Sequence, residues 1–261
     1  MFWPVDGIFS PNTLQSEVSG YVSDRATIAF SQWLRDSIGS MGKLETSPKN
    51  GARKSVGWQA EKSTMMQGAI LESAIDCFID LGYSNTTTAK IAEYAKVSRG
   101  AMMHHFPSRL RVLQAAIEYL HKKRLQEYDT LMANIDAPDR ALSREVFYES
   151  VQMAWRYANL PSFTAYQEIL AASRTDRELA EFMAPVERDF ENQYREHAKS
   201  MFPHWSDLGE YLDLAIDVVV FTTQGMALSH MVQNKEARVD KMLNFITDQL
   251  QLIYGSAVSE S

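Results

Sequence analysis

The chain has 261 residues, of which 45% are hydrophobic, only 12 are glycine and 8 are proline, and this composition favours long helices over a β-rich fold. A single cysteine excludes an internal disulfide framework. The sequence contains no run of about 18 consecutive apolar residues, so no membrane-spanning helix is predicted. The net charge of −7 excludes a protein that is basic throughout, but residues 51–131 carry +3 and residues 132–261 carry −9. This asymmetry suggests that residues 51–131 bind a polyanion.

Residues 1–60 are predicted to form an N-terminal extension that the fold does not need. They are rich in Ser, Gly, Asn and Pro, with one amphipathic stretch from Ala26 to Ile38. A basic linker follows, with Arg53, Lys54 and Lys62, and it is either ordinary solubilising charge or an arm for the DNA minor groove. The first residues lack the basic and apolar regions of a secretory signal, so a cytoplasmic protein is expected.

Residues 61–121 are predicted to form a three-helix helix-turn-helix domain and the start of a connecting helix. The first helix would begin at a capping box of Thr64 and Gln67, bury Cys77 on its apolar face and end at Gly82. The predicted N-caps of the next three helices are Thr87, Ser98 and Ser108.

Residues 122–254 are predicted to form a helical ligand-binding and dimerisation domain, followed by a tail at 255–261. Pro185 is expected to kink the third of its helices. The predicted starts are Asp139 or Ser143, Pro161, a capping box of Thr175 and Glu178, Asp207, and Asp240. The helix from Asp207 is expected to end near Val232. No strand alternation is found, so the predicted fold class is all-α.

The segment from Thr87 to Phe106 carries the functional signal. It predicts two short helices joined by a tight turn at Lys96 and Val97, which is the arrangement of a helix-turn-helix. The second helix would enter the major groove, where arginine can read guanine and glycine allows close approach of the backbone. The residues at its start are Ser98, Arg99 and Gly100.

The stretch from Thr64 to Leu120 resembles the DNA-binding domain of the TetR family of transcriptional regulators. The motifs that carry the resemblance are Leu81-Gly82-Tyr83, the threonines before Ile91-Ala92, Val97-Ser98-Arg99-Gly100, His104-His105-Phe106 and Pro107-Ser108-Arg109. The resemblance implies a repressor that leaves its operator when a ligand swings the helix from Ser108 to Leu131 like a pendulum.

The resemblance also implies roles for individual positions. Three would lie against the bases, Ser98, Arg99 and Gly100, and three would bind phosphates, Thr88, His105 and Arg109. Met103 stands where the family usually has tyrosine, so either His104 compensates or Met103 contacts a thymine methyl. The full predicted DNA-contacting set is Thr87, Thr88, Ser98, Arg99, Gly100, Met103, His104, His105 and Arg109.

Two further sites are predicted in the second half. Bulky and adaptable side chains suggest an effector pocket for an apolar or aromatic molecule, lined by Met153, Trp155, Phe163, Tyr166, Glu168 and Met183. A helix that is apolar on more than one face must bury a second face, which suggests a homodimer formed with the last helix. The predicted interface residues are Val219, Met226, Leu243 and Leu250.

The sequence thus predicts a ligand-responsive repressor that binds a palindromic operator in double-stranded DNA. The alternative is a helix-turn-helix activator or a DNA-binding protein without a ligand. An enzyme is disfavoured because the sequence has no Gly-rich phosphate loop, GxSxG or HExxH motif. Its single ExxH motif, Glu118 with His121, lacks the second copy that a di-iron bundle needs. No metal ion and no cofactor are predicted, since adjacent helical residues such as His104 and His105 diverge by about 100°.

Overall fold

The computed structural model describes residues 53–133, 142–206, 209–229, 231 and 233–260. Within these residues the secondary structure is helical with no strand, which confirms the predicted all-α class. The helices are α1 Arg53–Leu81, α2 Thr88–Tyr94, α3 Arg99–His105, α4 Arg109–Met132, α5 Arg144–Tyr157, α6 Pro161–Ser173, α7 Arg177–Met201, α8 Pro203–Ser206, α9 Glu210–Leu228 and α10 Lys235–Glu260. The predicted helix at 26–38 and the predicted caps Asp139 and Asp207 lie outside the described residues.

Two compact units divide the chain, residues 1–69 and residues 70–261. The second unit contains both the segment predicted to bind DNA and the segment predicted to bind ligand. The unbroken helix α4 runs from one segment into the other and packs against α5, α6 and α7. The chain therefore has no break at the predicted boundary between residues 121 and 122.

The start of α1 differs from the prediction. The helix begins at Arg53, so Thr64 lies inside it rather than at its start, and residues 53–62 of the predicted basic linker are helical. The reason is that the preceding residues contain no proline and include several good helix formers. The predicted end is confirmed: Gly82 has φ of +75°, and its N–H donates to the carbonyl of Phe78 at 3.1 Å.

Cys77 is fully buried within α1, as predicted. Burial raises the pKa of its thiol to about 11, and the nearby Asp76 and Asp80 add to the effect. The thiol is therefore protonated at neutral pH, and it serves as a small hydrophobic side chain of the core.

The caps of α7 and α9 also differ from the prediction. Asp176 caps α7 by accepting from the N–H of Leu179 at 3.0 Å, whereas the Thr175 hydroxyl donates to the carbonyl of Ala172. Helix α9 begins at Glu210 after Gly209, whose φ is +52°, and it ends at Leu228. At α7, Thr175 and Asp176 are both able to cap, and sequence alone does not rank them.

The last helix is longer than predicted, and it begins at Lys235 with Asp240 inside. It packs against α5 and α9, and together these helices bury an apolar cluster that includes Trp205 of α8. The cluster contains three of the four residues predicted to form the dimer interface, Met226, Leu243 and Leu250. Val219 packs against the same cluster. The structure thus buries Met226, Leu243 and Leu250 within one chain and leaves Val219 partly buried beside them.

The outer faces of α9 and α10 carry a separate set of apolar side chains. On α9, exposed residues recur at seven-residue spacing, Leu214, Phe221 and Leu228. On α10 the same spacing separates Phe245 from Leu252. Seven residues make two helical turns, so each set forms a stripe along its helix. We call these five residues the outer apolar face.

By length and composition alone, α9 is a helix that is long and apolar enough to cross a membrane. Its polar contacts favour a packed helix instead. Asp213 and Asp217 both accept from the guanidinium of Arg195 on α7, at 2.8 and 2.9 Å. On its inner face, Leu212 and Met226 are members of the apolar cluster.

Candidate functional site

Side-chain caps position the helix-turn-helix. Thr87 caps α2 by accepting from the N–H of Lys90 at 3.2 Å, and Ser98 caps α3 by accepting from the N–H of Ala101 at 3.1 Å. Between the helices, Lys96 adopts a left-handed φ of +54°, which allows the N–H of Val97 to donate to the carbonyl of Ala92 at 3.0 Å. The predicted turn and both predicted caps are confirmed.

Helix α3 has one buried face and one exposed face. Met102 is fully buried, while Arg99, Gly100 and His104 are exposed and Met103 is half-buried. A Cβ atom added at Gly100 would meet only the Oγ atom of Ser98, at 3.9 Å. The main chain at Gly100 is therefore open to a large partner, as the sequence predicts.

The stretch of sequence that contains α3 is free of acidic residues. No Asp or Glu occurs between Glu93 and Glu118. Four cationic side chains in this interval are exposed: Lys96, Arg99, Arg109 and Arg111. Lys96 and Arg111 are not in the predicted DNA-contacting set, although the absence of acidic residues in this interval points to both. This surface has the electrostatics needed to approach phosphates.

Arg109 has a structural role in addition to its predicted one. Its Nε donates to the carbonyl of Thr86 at 3.1 Å, and its guanidinium lies 5.6 Å from the centre of the Tyr83 ring. Arg109 thus ties the first turn of α4 to the segment that precedes α2. A phosphate contact would use the remaining N–H groups, since a guanidinium has five.

His105 is half-buried at the end of α3 and lies against His104, with the ring centres 5.4 Å apart. Burial lowers the pKa of His105 below its usual value, and the charge of His104 adds to the effect. Thr88 is half-buried in the first turn of α2. Their predicted phosphate contacts stay predictions.

A cavity of about 70 Å³ lies in the helical second half. Its walls come mainly from α4, α5, α7 and α9, and its lining includes Tyr128, Phe147, Tyr194, Trp205 and Leu212. A single water occupies about 10–15 Å³ by this kind of measure, so the cavity has room for several atoms. The lining is apolar and aromatic, which is the predicted chemistry.

The predicted pocket residues lie elsewhere. None of the six lines this cavity: Met153, Trp155, Phe163, Tyr166, Glu168 and Met183. Three of them are buried among other side chains, Phe163, Tyr166 and Met183. Trp155 packs against the α5–α9–α10 cluster and Met153 packs against the Tyr128 cluster. Glu168 is exposed, and its carboxylate would be 3.1 Å from a Cβ atom at Gly82.

A polar cluster that the sequence did not reveal is buried beside the cavity. Arg124 is 1% exposed, and its guanidinium carbon lies 3.7 Å from the centre of the Tyr166 ring and 4.1 Å from that of Phe190. Glu187 accepts from Tyr166 at 2.7 Å and pairs with His121 Nε2 at 2.7 Å. Burial opposes ionisation of Glu187, but these two hydrogen bonds hold its pKa below the usual value.

Among known proteins, the clearest similarity is to the segment that contains the helix-turn-helix. Residues 70–116 match the family model described as bacterial regulatory proteins of the tetR family. The HTH-type transcriptional regulator CymR of Pseudomonas putida is 27% identical over 132 residues, which cover 50% of this chain and 63% of CymR. The chain thus aligns with slightly less than two thirds of that relative.

Solved structures share the fold across a larger part of the chain. A regulator assigned to the TetR family from Mesorhizobium loti superposes with a TM-score of 0.58 at 14% identity, covering 74% of this chain and 98% of that one. The multidrug binding protein EbrR, complexed with malachite green, superposes with a TM-score of 0.50 at 15% identity over 72% and 96% of the two chains. Residues 70–116 therefore have the sequence motif and the helix-turn-helix geometry of the tetR family, and the solved structures show that the helical fold is shared over about three quarters of the chain.

Proposed function

We propose that the protein is a sequence-specific DNA-binding transcriptional regulator that represses from a palindromic operator. The observation that carries this proposal is the exposed face of α3, which offers Arg99 and an open backbone at Gly100 within an acid-free segment. Such a helix fits the major groove, and arginine at its start pairs with guanine. Because its target is chromosomal DNA, the proposed location is the cytoplasm.

A homodimer is part of the proposal. A palindrome presents two identical half-sites, and a two-fold dimer matches this symmetry. The outer apolar face provides a self-complementary surface, since two copies of α9 and α10 can form a four-helix bundle across a two-fold axis. This proposal replaces the four predicted interface residues, which are occupied within one chain.

The proposed trigger is a small molecule with an apolar or aromatic body. The apolar cavity supports this, and EbrR, which has a similar fold, is a multidrug binding protein. Helix α4 provides a route for coupling, because Tyr128 and Met132 line the cavity while Arg109 bonds to the segment before α2. A typical coupling of about 1–3 kcal/mol would lower operator affinity by about 5- to 150-fold.

The test is selection of bound duplexes from a random DNA library with the purified full chain, followed by footprinting. We expect a palindromic site of roughly 15–30 base pairs with half-sites at least one turn apart. A reporter promoter that contains this site should be expressed less when the protein is present. Equal affinity for every sequence would exclude a specific regulator, and increased expression would indicate an activator.

A further inference from the structure

The buried guanidinium of Arg124 lacks the partners that such a group normally has. Its Nε and Nη1 atoms are inaccessible to solvent and have no hydrogen-bond acceptor. The hydroxyl of Tyr157 is buried as well; it lies within reach of Arg124, and no acceptor among the described residues is found for its own proton. Burying a charge without an acceptor costs several kcal/mol, so proteins pair such charges or use them to bind a ligand.

The carboxylates near Arg124 are already engaged by other side chains. Both oxygens of Glu187 are used, one by His121 and the other by Tyr166. Glu127 accepts from the hydroxyl of Ser162. These acids act on Arg124 only through their charge, and they accept from none of the three N–H groups on its Nε and Nη1 atoms.

Aromatic contacts fix the guanidinium in place. The rings of Tyr166 and Phe190 lie against Arg124, with the guanidinium carbon 3.7 and 4.1 Å from their centres. Contacts of this kind use the face of the guanidinium and leave its edge for hydrogen bonds in the guanidinium plane. A planar carboxylate binds such an edge through two parallel N–H···O bonds, one from Nη2 and the other from either Nε or Nη1.

The polar cluster continues the cavity by one helical turn. Three helices, α4, α5 and α7, each contribute at least two residues to the cavity lining, and a residue in or next to the cluster lies three or four positions away on the same helix. These sets are Met132, Tyr128 and then Arg124 on α4; Ser150, Ala154 and then Tyr157 on α5; and Ala198, Tyr194 and then Phe190 on α7. Residues three or four apart lie on one face of a helix. The cavity and the cluster are therefore successive layers between the same three helices.

The ring of Tyr128 lies between the two layers. Its centre is 5.7 Å from the ring of Tyr157 and 4.5 Å from the ring of Tyr194, which lines the cavity. A ligand in the cavity can therefore reach the edge of Arg124 only if the Tyr128 ring moves aside. Such a ligand would have its apolar part among the cavity side chains and its charged group at Arg124.

We propose that the effector is a carboxylic acid with an apolar body, whose carboxylate binds Arg124 and accepts from Tyr157 while its body fills the cavity. This inference rests on the proposed effector-responsive function and names the chemical class of the effector. Aromatic and aliphatic acids share this chemistry. They differ in the length and width of the apolar body, so probes of different shape distinguish the two classes.

The experiment measures the melting temperature of the full chain without DNA. The probes are sodium benzoate, naphthalene-2-carboxylate and octanoate, each compared with its neutral primary amide at equal sodium concentration. We expect at least one acid to raise the melting temperature and its amide to have a much smaller effect, because only the acid pairs with Arg124. A response to the naphthoate alone indicates an aromatic effector, and a response to octanoate alone indicates a fatty acid.

Variants then locate the binding site. For the responding acid, Arg124→Met should lower the affinity measured by calorimetry by about 10- to 150-fold, and Tyr157→Phe by about 5-fold. The matched control is Arg188→Met, the same substitution at an exposed position of α7, and it should leave the affinity unchanged. Tyr157→Phe removes a single hydroxyl, so it keeps the test decisive if Arg124→Met fails to fold.

Three results would overturn the inference: no acid raises the melting temperature, acids and amides act equally, or both variants bind the acid as tightly as the unmodified protein. None of these results bears on operator selection, which needs no effector. Failure of the carboxylate assignment and failure of the DNA-binding proposal can therefore be told apart.

Discussion

The two candidate functional regions of this protein are built in opposite ways. In the helix-turn-helix, each cap and turn is formed by residues three to five positions apart, such as Ser98 with Ala101. In the buried polar cluster, His121 contacts Glu187 and Arg124 contacts Phe190, which lie 66 positions further along the chain in each case. The first region can be altered one residue at a time, whereas the second depends on how four helices pack.

The largest expected effect comes from charge on the outer apolar face. Phe221 is 70% exposed on α9, and Phe221→Glu should convert the dimer to a monomer and weaken operator binding by about 10²- to 10⁴-fold, because one half-site no longer assists the other. Sedimentation gives the oligomeric state. The control is Met65→Glu, at a residue that is also 70% exposed, and it should remain dimeric. A dimeric Phe221→Glu variant would show that the interface lies elsewhere.

A smaller effect is expected at the start of α3. Arg99→Ala should cost about 1–3 kcal/mol of operator affinity and relax the preference at one base position. The measurement is competition binding against operators altered at single positions. Arg188→Ala, which removes an exposed arginine of α7, serves as the control for net charge. If both variants lose affinity equally for all sequences, Arg99 contributes charge only and reads no base.

The half-buried His105 should make stability and DNA affinity respond to pH in opposite directions. Its pKa in the folded chain is below that of an unfolded histidine, so the stability that it contributes is present above about pH 6.5 and is lost as pH falls through the folded pKa. Phosphates favour the charged form, so operator affinity should increase several-fold as pH falls over the same range.

The check on His105 is titration of operator affinity between pH 7.5 and 5.5 at constant ionic strength. His105→Gln should flatten this pH dependence, and His104→Gln shows how much of it belongs to the neighbouring ring. A pH dependence that survives in His105→Gln and disappears in His104→Gln would move the phosphate contact to His104.

The smallest effect is expected in the turn. Lys96 adopts a left-handed φ of +54°, which costs a residue with a Cβ atom about 1–2 kcal/mol. Lys96→Gly should therefore be more stable to urea than Lys96→Ala by about 1 kcal/mol, after allowance for the greater chain entropy of glycine. The pair has the same charge, so it isolates the backbone effect. Equal unfolding free energies would mean that the turn is not strained.

The sequence predicted those parts of the fold that depend on nearby residues. Thr87, Ser98 and Ser108 each accept from an N–H three positions later, as their spacing indicates. It failed where several neighbours offered the same cap, as at Asp176 beside Thr175. It also failed to distinguish the two apolar faces of α9, since hydrophobicity alone does not say which face meets the same chain.

The proposed effector site could not be predicted from the sequence for a different reason. Arginine is rarely buried, so Arg124 in a charged stretch of α4 suggests a solvated residue. Only the packing of α6 and α7 against α4 brings Tyr166 and Phe190 onto its guanidinium. The aromatic content of the second half correctly indicated an apolar cavity, but the choice of lining residues depended on helix orientation, which the sequence pattern does not fix.

The burial of Cys77 makes the protein suited to spectroscopic distance measurement. Its thiol is inaccessible and protonated, and the chain has no other cysteine, so nitroxide reagents should leave the unmodified protein unlabelled. A cysteine introduced at the exposed Ala89 of α2 would then be the one reactive position in each subunit. Electron spin resonance on the labelled protein would then measure the distance between the two α2 helices of the proposed dimer, with and without an added acid.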